Sequence, residues 1–565
     1  MTIKKLLRIC ALFIVAALPV MLGAQAQGGL DPASLLKPLS ATWPTYSGDY
    51  TGRRFSALKQ ANKDTVKGLS LAWFARVTAG QPPGQGGGRG GGGGGAAAAN
   101  LIVGGEGTGE FGAGGGVTIK GSILMVDDHL YVTSPDNVWM LDARDGRELW
   151  HYYWKTRGST HIANRGVGIW HNYLYFETPD DYLVSLDART GMERWHVEIS
   201  DFNQQYFSTM APIVVDNHLL VGTGNDIDSP GFLQSFDPDT GKLQWKFYTV
   251  PMKLGDPGLD TWPNLEAARH GGGQVWVPGA YDPETKLYIF GTGNPTPGYT
   301  GQGRPGDNLF TCSLIAVNVD TGKMAWYFQT SVHDTHDWDS AQTPILIDAT
   351  INGQPRKLVS TAARNGYFYT LDRVTGKQVV TTKYGTTTNW AMGLRPNGVV
   401  EPDPGKAATI PGSLVSPVEG GVTNWPPPAY SPDTGLFYVQ EHNGFNMVYL
   451  TDPDPRGSMG LGGKQVSGLG SGGNFLTAID PKTGKVAWRH TYTGGGGGGL
   501  LTTAGGLIFS GDGSGNFVAY DSANGKPLWH TRIGNISNAP QTYLVDGHQY
   551  VLVAVADTVY AFVMY

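Results

Sequence analysis

Three observations predict an all-β protein, an eight-bladed β-propeller with Trp-docking hairpin repeats. A short hairpin phrase ending in tryptophan recurs along the 565 residues, alternating apolar runs lie between its copies, and the composition favours turns over helices. Glycine is very frequent (83 residues) and only 16% of residues are charged. Stretches rich in Ala, Glu, Lys and Leu, which are typical of long helices, are missing from the sequence.

The repeated phrase joins an apolar strand end, an Asp, a tight turn and a strand that closes on a large aromatic residue. This order is typical of a β-hairpin corner. A variant, TLDRVTGKQVV (370–380), keeps the turn and lacks the Trp. The full copies are MLDARDGRELW (140–150), SLDARTGMERW (185–195), SFDPDTGKLQW (235–245), VNVDTGKMAW (317–326), AIDPKTGKVAW (478–488) and AYDSANGKPLW (519–529).

Runs such as HLYVTSP, YLYFETP and KLYIFGTG between the copies have the period of half-buried strands. Adjacent copies are about 40 to 54 residues apart, a spacing that radially repeated four-stranded blades satisfy. Trp73 in LSLAWFARV is the expected partner of a missing copy, which brings the count to eight blades. The last strands, HQYVLVAVA and VYAFVMY, are expected to pair with N-terminal strands and close the ring. A row of separate β-sandwich domains is the alternative, but linkers of suitable composition are not visible.

The first 26 residues have the organisation of a secretory signal peptide. Lys4, Lys5 and Arg8 precede an apolar run, and Ala24-Gln25-Ala26 forms a small-residue cleavage site. A retained membrane anchor is the alternative, although the apolar run is short for a span. We therefore expect a signal peptide over 1–26, a single propeller domain over 27–565, and a location in the periplasm. The glycine-rich stretch 80–100 is expected to be a flexible surface insertion.

Charge and cysteine content narrow the function. The net charge of −6 with scattered Lys and Arg offers no basic stripe for nucleic acid. Apart from the signal segment, no stretch is apolar enough to cross a membrane. Only Cys10 and Cys312 occur and the haem-attachment motif CxxCH is missing, so we expect no haem on this chain.

The loop HDTHDWDS (333–340) concentrates ionisable side chains. His333 and His336 are spaced like a zinc pair, but no third soft ligand is nearby and the loop lacks helical periodicity. We favour His333 and Asp334 as hydrogen-bonding residues that fix the loop, with His336 beside a substrate pocket.

The Trp repeats, together with NRG (164–166), GTGNP (291–295), RPGDNLF (304–310), HDTHDWDS, ARNGYFYTLDR (363–373) and NWPPPAYSP (424–432), resemble the pyrroloquinoline quinone (PQQ)-dependent alcohol dehydrogenases. The resemblance covers nearly the whole chain after residue 26, in order. It implies a PQQ disc near the propeller axis, a metal ion bound to the quinone, and a carboxylate base beside it.

The resemblance also assigns residues to these roles. The cofactor-binding positions are Arg165, Thr209, Trp276, Arg364 and Asn424, and the metal-binding positions are Asp226, Asn294, Asp337 and Asp339. Arginines suit the three carboxylates of PQQ. The alignment at Asp226 needs a one-residue gap, so Asp228 remains an alternative.

Within the loop HDTHDWDS (333–340), the resemblance makes Asp337 the catalytic base. A carboxylate within hydrogen-bond reach can take the hydroxyl proton of an alcohol. An aspartate at position 339 accompanies lanthanide rather than calcium use in this family, because a hard trivalent cation favours a further anionic oxygen. Calcium remains the alternative metal.

The sequence departs from the family at three places. Ser159 and Thr160 stand where many members have adjacent cysteines that form a disulfide against the quinone. Lys120 stands where an acidic cofactor contact is expected, and Gly497 aligns loosely with an expected Trp. These changes predict a more open pocket.

The sequence thus predicts a periplasmic quinoprotein dehydrogenase that oxidises an alcohol to an aldehyde or ketone. Its expected partners are a small-molecule alcohol and a soluble cytochrome c-type acceptor. The alternative is a non-catalytic propeller scaffold of the bacterial envelope, which would not need two arginines, a metal-type Asn and paired aspartates around the ring centre.

Overall fold

The structure is a computed structural model and describes residues 29–80, 101–109, 117–451 and 462–565. The predicted signal peptide (1–26) and, apart from Gly80, the glycine-rich insertion (80–100) lie outside the described residues. Within the described residues, eight four-stranded antiparallel meanders follow one another along the chain. The predicted fold class is confirmed by these sheets, and each sheet is one blade.

The strands of each blade are called a to d in the order in which they neighbour one another, beginning with the strand that opens the blade. Blade 1 contains β4 (Leu124–Val126), β5 (His129–Ser134), β6 (Asn137–Asp142) and β7 (Glu148–Trp154). Blade 2 contains β8 (Gly168–Trp170), β9 (Tyr173–Glu177), β10 (Tyr182–Asp187) and β11 (Glu193–Glu198). Blade 3 contains β12 (Ile213–Val215), β13 (His218–Gly222), β14 (Phe232–Phe236) and β15 (Leu243–Tyr248). Blade 4 contains β16 (Ala280–Asp282), β17 (Leu287–Gly291), β18 (Ser313–Asn318) and β19 (Lys323–Gln329).

The second half of the ring continues the pattern. Blade 5 contains β20 (Ile345–Ile351), β21 (Gln354–Ala362), β22 (Tyr367–Asp372) and β23 (Gln378–Lys383). Blade 6 contains β27 (Ala429–Ser431), β28 (Leu436–Gly444), β31 (Ser471–Ile479) and β32 (Val486–Thr491). Blade 7 contains β33 (Gly496–Thr503), β34 (Leu507–Asp512), β35 (Asn516–Asp521) and β36 (Pro527–Arg532). Blade 8 contains β37 (Gln541–Val545), β38 (His548–Val555), β39 (Thr558–Val563) and the N-terminal β2 (Ser70–Arg76).

The chain ends close the ring, as the sequence predicts. β2 pairs with β39 in an antiparallel register that sets Phe74 opposite Tyr560. β1 (Phe55–Ser56) adds in parallel to β33, and β3 (Leu101–Gly104) adds in parallel to β7. Because a closed ring of blades has no first or last member, every blade can pack both of its faces against a neighbour.

The repeated phrase forms the turn between strands c and d of a blade and the start of strand d. In blade 3, the carboxylate of Asp237 accepts hydrogen bonds from the backbone N–H groups of Asp239 and Thr240, and Gly241 has φ +69°. A Cβ at Gly241 would come within 2.9 Å of the ring of Trp195 in blade 2. The Trp of blades 1, 2, 3, 4 and 6 rests in this way on the turn of the next blade, at a glycine whose place no larger residue could take without a clash.

Indole N–H groups strengthen this contact. Trp195 donates to the carbonyl of Asp239 at 3.0 Å, and Trp326 donates to the carbonyl of Arg373 at 3.0 Å. Blade 5 lacks the Trp, and there Val380 and Thr382 pack against Gly484 of blade 6. The repeat is thus a blade-to-blade contact, which explains why it recurs once per blade.

The remaining elements are short. A hairpin of β24 (Ala391–Leu394) and β25 (Val400–Pro402) and a sheet of β26 (Ser413–Val415), β29 (Asn446–Leu450) and β30 (Gly463–Val466) are insertions beside blades 5 and 6. The helix α1 is Leu265–Arg269, and 3₁₀ turns span Pro32–Leu36, Val66–Gly68, Phe202–Gln204, Leu259–Thr261 and Pro404–Lys406. In the described part of the chain, no helix has the length and apolar character needed to span a membrane.

The meander order separates two kinds of loop. Because strands alternate in direction, the b–c loops and the connections from strand d to the next strand a lie at one edge of every blade, and the a–b and c–d turns lie at the other. The repeated Asp-Gly turns are c–d turns. The b–c loops and the blade-to-blade connections, which contain none of the repeated turns, can therefore be irregular and can meet over the middle of the ring.

Candidate functional site

One cavity of about 270 Å³ opens among the loops of the first edge. Its walls come from connections between consecutive blades 1 to 6 and from b–c loops of blades 3, 4 and 5, so it lies where these blades converge. The nine residues that the sequence predicts for cofactor and metal all line it: Arg165, Thr209, Asp226, Trp276, Asn294, Asp337, Asp339, Arg364 and Asn424. These residues are spread over 260 positions of sequence, and the structure brings them together.

An ion-pair network joins the carboxylates to Arg364. One guanidinium nitrogen lies 3.5 Å from Asp337 Oδ2 and another lies 3.1 Å from Asp339 Oδ2. All three side chains are largely buried, and Arg364 also donates to the carbonyl of Glu419 at 2.8 Å. Burial lowers the pKa of the Arg364 guanidinium, but the charges of Asp337 and Asp339 outweigh it and raise that pKa above its ordinary value.

Asp339 is held by two further donors. The indole N–H of Trp276 donates to Oδ2 at 2.8 Å, and the backbone N–H of Asn294 donates to Oδ1 at 2.6 Å. Burial raises the pKa of Asp339, although Arg364 and these two hydrogen bonds oppose the shift. The carboxylate is therefore fixed in place on three sides.

Asp337 is less constrained by hydrogen bonds and more by its backbone. Its φ of +63° is in the left-handed region, which residues other than glycine seldom adopt outside turns and functional loops. Burial raises the pKa of its carboxyl well above the usual range, with Arg364 opposing and Asp339 adding to the shift. Asp337 therefore places a carboxyl group with a raised pKa in the wall of the cavity.

Asp226 completes the acidic side of the cavity. Burial, and next the charge of Asp339, raise its pKa to about 6. Asn294 lines the same cavity, and its Nδ2 donates to the carbonyl of Pro295 at 2.9 Å. These are hard oxygen donors. Among the described residues, however, no three His, Cys, Asp or Glu side chains are already gathered closely enough to hold a metal ion.

Arg165 occupies the other side of the cavity with two indoles. Its guanidinium carbon lies 4.5 Å from the ring centre of Trp276 and 5.4 Å from that of Trp425. It is 4% exposed, its Nε has no hydrogen-bond partner, and burial lowers its pKa to about 10. A flat cationic group between aromatic faces marks a slot that suits a flat, anionic molecule.

Thr209 and Asn424 shape the walls. The carbonyl of Thr209 accepts a hydrogen bond from the backbone N–H of Arg165 at 3.0 Å, and its hydroxyl donates to the carbonyl of Trp276 at 3.3 Å. Asn424 donates to the carbonyl of Gly420 at 2.9 Å and accepts from the N–H of Trp425 at 2.8 Å. Both residues line the cavity while bonding to the backbone around it.

The histidines hold the loop instead of facing the cavity. His333 Nδ1 lies 2.8 Å from the carbonyl oxygen of Gly306, and His336 Nε2 lies 2.9 Å from that of Lys406. His336 also stacks on Trp338 at 4.2 Å, and it is not among the residues that line the cavity. Asp334 accepts from the backbone N–H groups of His336 and Trp338, which fixes the turn that presents Asp337.

The three departures from the family pattern fall in different places. Ser159 and Thr160 are exposed and do not line the cavity, and Ser159 donates to the carbonyl of Tyr206 at 3.2 Å. Gly497 lies in β33, away from the cavity lining. Lys120 does line the cavity.

Sequence reasoning missed Trp425 and Ile162, which also line the cavity. Trp425 directly follows Asn424 in NWPPPAYSP, so its neighbour was a signal that pointed to it. Ile162 is 53% exposed, and it carries no sequence signal because isolated exposed apolar residues are ordinary.

Comparison with known proteins agrees with this geometry. A family profile described as "Glucose/ethanol/alcohol dehydrogenase, beta-propeller domain" matches residues 43–392. A second profile, "Outer membrane protein assembly factor BamB", matches only residues 472–563. The first profile covers more than half of the chain.

Individual relatives extend the match. Quinohemoprotein alcohol dehydrogenase ADH-IIG of Pseudomonas putida is 32% identical, with 97% of this chain and 77% of that protein covered. Quinoprotein alcohol dehydrogenase PedH of Pseudomonas putida is 35% identical over 76% of this chain and 77% of that protein. A europium-containing methanol dehydrogenase superposes with a TM-score of 0.77 at 27% identity, covering 92% of this chain and 90% of that one.

The fold and the cavity thus define an oxidoreductase built on a β-propeller. The chain belongs to the PQQ-dependent alcohol dehydrogenase family, whose members use PQQ with a metal ion to oxidise alcohols. The predicted family and enzyme class are confirmed, and the scaffold alternative is not favoured.

Proposed function

We propose that this protein oxidises an alcohol to an aldehyde or ketone with PQQ and one metal ion held in the cavity, and passes the electrons to a separate cytochrome c-type protein. The observation that carries the proposal is the convergence of nine predicted side chains on one cavity. Their types divide it into an aromatic and cationic side and an acidic side.

The aromatic and cationic side fits PQQ. Trp276 and Trp425 both lie against the guanidinium of Arg165, whose positive charge suits a cofactor carboxylate. We assign Arg165, Thr209, Trp276, Arg364 and Asn424 to cofactor binding, as the resemblance implies. Trp425 lines the cavity and would supply a second aromatic surface, whereas Ser159 and Thr160, which replace the family's cysteines, do not line it.

The acidic side fits a hard cation. Asp226, Asp337 and Asp339 with the Oδ1 of Asn294 are oxygen donors, and a cation among them relieves the repulsion between Asp226 and Asp339 that raises the pKa of Asp226. We assign these four residues as metal ligands. The three carboxylates favour a trivalent lanthanide over calcium, because the attraction grows with the charge of the cation.

Asp337 is the proposed base. Alcohol oxidation releases two electrons and two protons; PQQ held by the cofactor-binding residues would supply the electron acceptor, and a metal ion held by the aspartates and Asn294 would supply a Lewis acid. Asp337 accepts the hydroxyl proton, for which its raised pKa is suited. Arg364 holds the carboxylate toward the cavity at 3.5 Å and must keep it ionised before each proton transfer.

The electrons are proposed to leave to another protein in the periplasm. The sequence contains two cysteines and no CxxCH, so a haem on this chain has no covalent attachment site. The N-terminal segment has signal-peptide features, which supports export to a compartment where such acceptors occur.

Reconstitution tests the proposal. The purified chain without residues 1–26 should bind PQQ in the presence of calcium or lanthanum, gain a cofactor absorbance, and reduce an artificial dye with an alcohol panel. Terbium is a useful second probe because Trp276 touches Asp339, so bound terbium should emit when the indole is excited. The proposed function would be contradicted if the protein showed no cofactor absorbance and no dye reduction with either metal.

A further inference from the structure

Lys120 stands out because it brings a positive charge to a cavity that already holds two arginines. It precedes the first strand of blade 1, its ammonium donates to the carbonyl of Ile162 at 3.0 Å, and it lines the cavity together with Arg165. Family resemblance predicts an acidic residue here. The change reverses the local charge by two units.

Arg165, which is buried, and Lys120, which is half-buried, have fewer protein partners than two other buried arginines of the chain. Arg54 is 0% exposed and donates to three backbone carbonyls, those of Tyr46, Leu500 and Pro540, at 2.7 to 2.8 Å. Arg304 is 2% exposed and bonds to Asn308 and to two carbonyls. Each of these two structural arginines donates to at least three protein acceptors.

Among the described residues, the guanidinium of Arg165 makes one hydrogen bond, to the carbonyl of Thr209 at 3.4 Å. Across the described part of the chain, no carboxylate forms an ion pair with Arg165 or with Lys120, in contrast to Arg364, which faces two. Burial and the charge of Arg165 both lower the pKa of Lys120. A buried arginine beside a half-buried lysine, with no carboxylate paired to either, is a place where a bound anion is favoured.

We propose that Lys120 and Arg165, which line the same cavity, together form an anion site, and that Lys120 pairs there with a carboxylate of PQQ. This inference rests on the proposed function and deepens it. At the position where the family resemblance predicts an acidic residue in contact with the cofactor, this chain would form an ion pair with the cofactor instead. Cofactor binding should then be tighter at low ionic strength and more sensitive to salt.

The test is a binding titration of the apo chain without residues 1–26. PQQ is added at two salt concentrations, with a fixed metal, and the quenching of the protein's tryptophan fluorescence is followed, since Trp276 and Trp425 line the cavity. Lys120→Met keeps the length and removes the charge, Lys120→Arg keeps the charge, and Lys120→Glu reverses it. Lys246→Met is the matched control, because that half-buried lysine lies over Phe232 and does not line the cavity.

We expect Lys120→Met to weaken PQQ binding by roughly 10- to 100-fold at low salt, the range for a hydrogen bond to a charged group. Lys120→Glu should weaken it further, Lys120→Arg and Lys246→Met should bind as the parent does, and the effect of Lys120→Met should shrink in high salt. The trimethyl ester of PQQ, which has no free carboxylate, should bind the parent and Lys120→Met equally.

The outcomes separate this inference from the function beneath it. If the parent protein does not bind PQQ, the proposed function fails. If the parent binds PQQ and Lys120→Met has the same affinity and salt dependence, only the anion site is overturned. A thermal midpoint measured for every variant identifies loss of folding, and Lys120→Arg supplies a folded variant that must retain the affinity.

Discussion

Replacing Asp339 with asparagine is expected to lower lanthanide affinity more than calcium affinity. Asp339 is the carboxylate that the structure holds most firmly, by Trp276, Asn294 and Arg364 at 2.8, 2.6 and 3.1 Å. Asn has nearly the same shape and keeps one acceptor oxygen. The substitution therefore removes one negative charge with little change in packing.

The magnitude follows from these contacts. In the apo protein, one charge-assisted hydrogen bond is lost, at a cost of about 1.5–3 kcal/mol. Part of this cost is offset, because the charge of Asp339 also raises the pKa of Asp226 and of Asp337. We expect the free energy of unfolding to fall by less than about 2 kcal/mol, so that the apo variant remains folded.

Metal binding should respond more strongly. Attraction between a carboxylate and a cation scales with the cation charge, so a loss of about 3 kcal/mol for a trivalent ion corresponds to about 2 kcal/mol for a divalent one. These values are roughly 150-fold and 30-fold in affinity, and selectivity for lanthanide over calcium should fall about 5-fold.

The assay is terbium emission sensitised by tryptophan, with lanthanum and calcium as competitors. Asp237→Asn is the control, because Asp237 lies in a c–d turn at the opposite edge of blade 3 and the corresponding turn position of blade 4 is Asn318 in this chain. Asp339→Asn with a lanthanum affinity within a factor of three of the parent would refute the assignment of Asp339 as a ligand.

Three further predictions concern the base, the aromatic slot and the blade contact. Asp337→Asn should bind PQQ as the parent does and lose about 10²- to 10⁴-fold in kcat, the range for general base catalysis, in a steady-state dye assay; near-normal turnover would remove Asp337 from its role. Trp425→Leu should weaken PQQ binding by about 2- to 12-fold in the fluorescence titration, since an aromatic contact contributes roughly 0.5–1.5 kcal/mol. Trp529→Leu, in the outer strand of blade 7, is the control and should leave the affinity unchanged. Equal affinities for both variants would contradict a second aromatic surface. Trp326→Ala removes a side chain that is 7% exposed together with its hydrogen bond to Arg373, and should lower the free energy of unfolding by about 3–5 kcal/mol in denaturant titration. The control, Leu243→Ala, removes a half-exposed side chain and should lower it by less than about 1 kcal/mol. Similar losses for the two variants would show that docking of Trp326 on Gly376 adds nothing.

Much of the fold could be predicted from the sequence because its main contact is local and periodic. Each copy of the phrase carries its own turn, with an Asp that accepts hydrogen bonds and a Gly with positive φ, so one pattern identifies both a hairpin and the surface for the next Trp. Trp73 was predictable as an unmatched partner, and the structure places it on Gly146 of blade 1. The turn of TLDRVTGKQVV was predictable too, but not that Val380 would take the docking position.

The site was predictable only in part. Asp337, Asp339, Arg364 and Asn294 are in motifs that resemble a family, and the resemblance named them, although no local pattern states that they meet. Trp425 was missed because a single Trp outside the repeat has no periodicity. The position of Lys120 was noticed as a departure, whereas its pairing with Arg165 in one cavity was visible only in the structure.

By itself, the sequence determined the class of fold, the number of blades and the residue types that a quinone and a hard cation require, since these depend on short-range periodicity and on side-chain chemistry. The tertiary structure decided which charges are neutralised. Arg364 is paired with two aspartates, Arg54 donates to three carbonyls, and Arg165 with Lys120 is left to an anion. The physical reason is that ion pairing and burial depend on distances between loops of different blades, and those distances arise only when the ring closes.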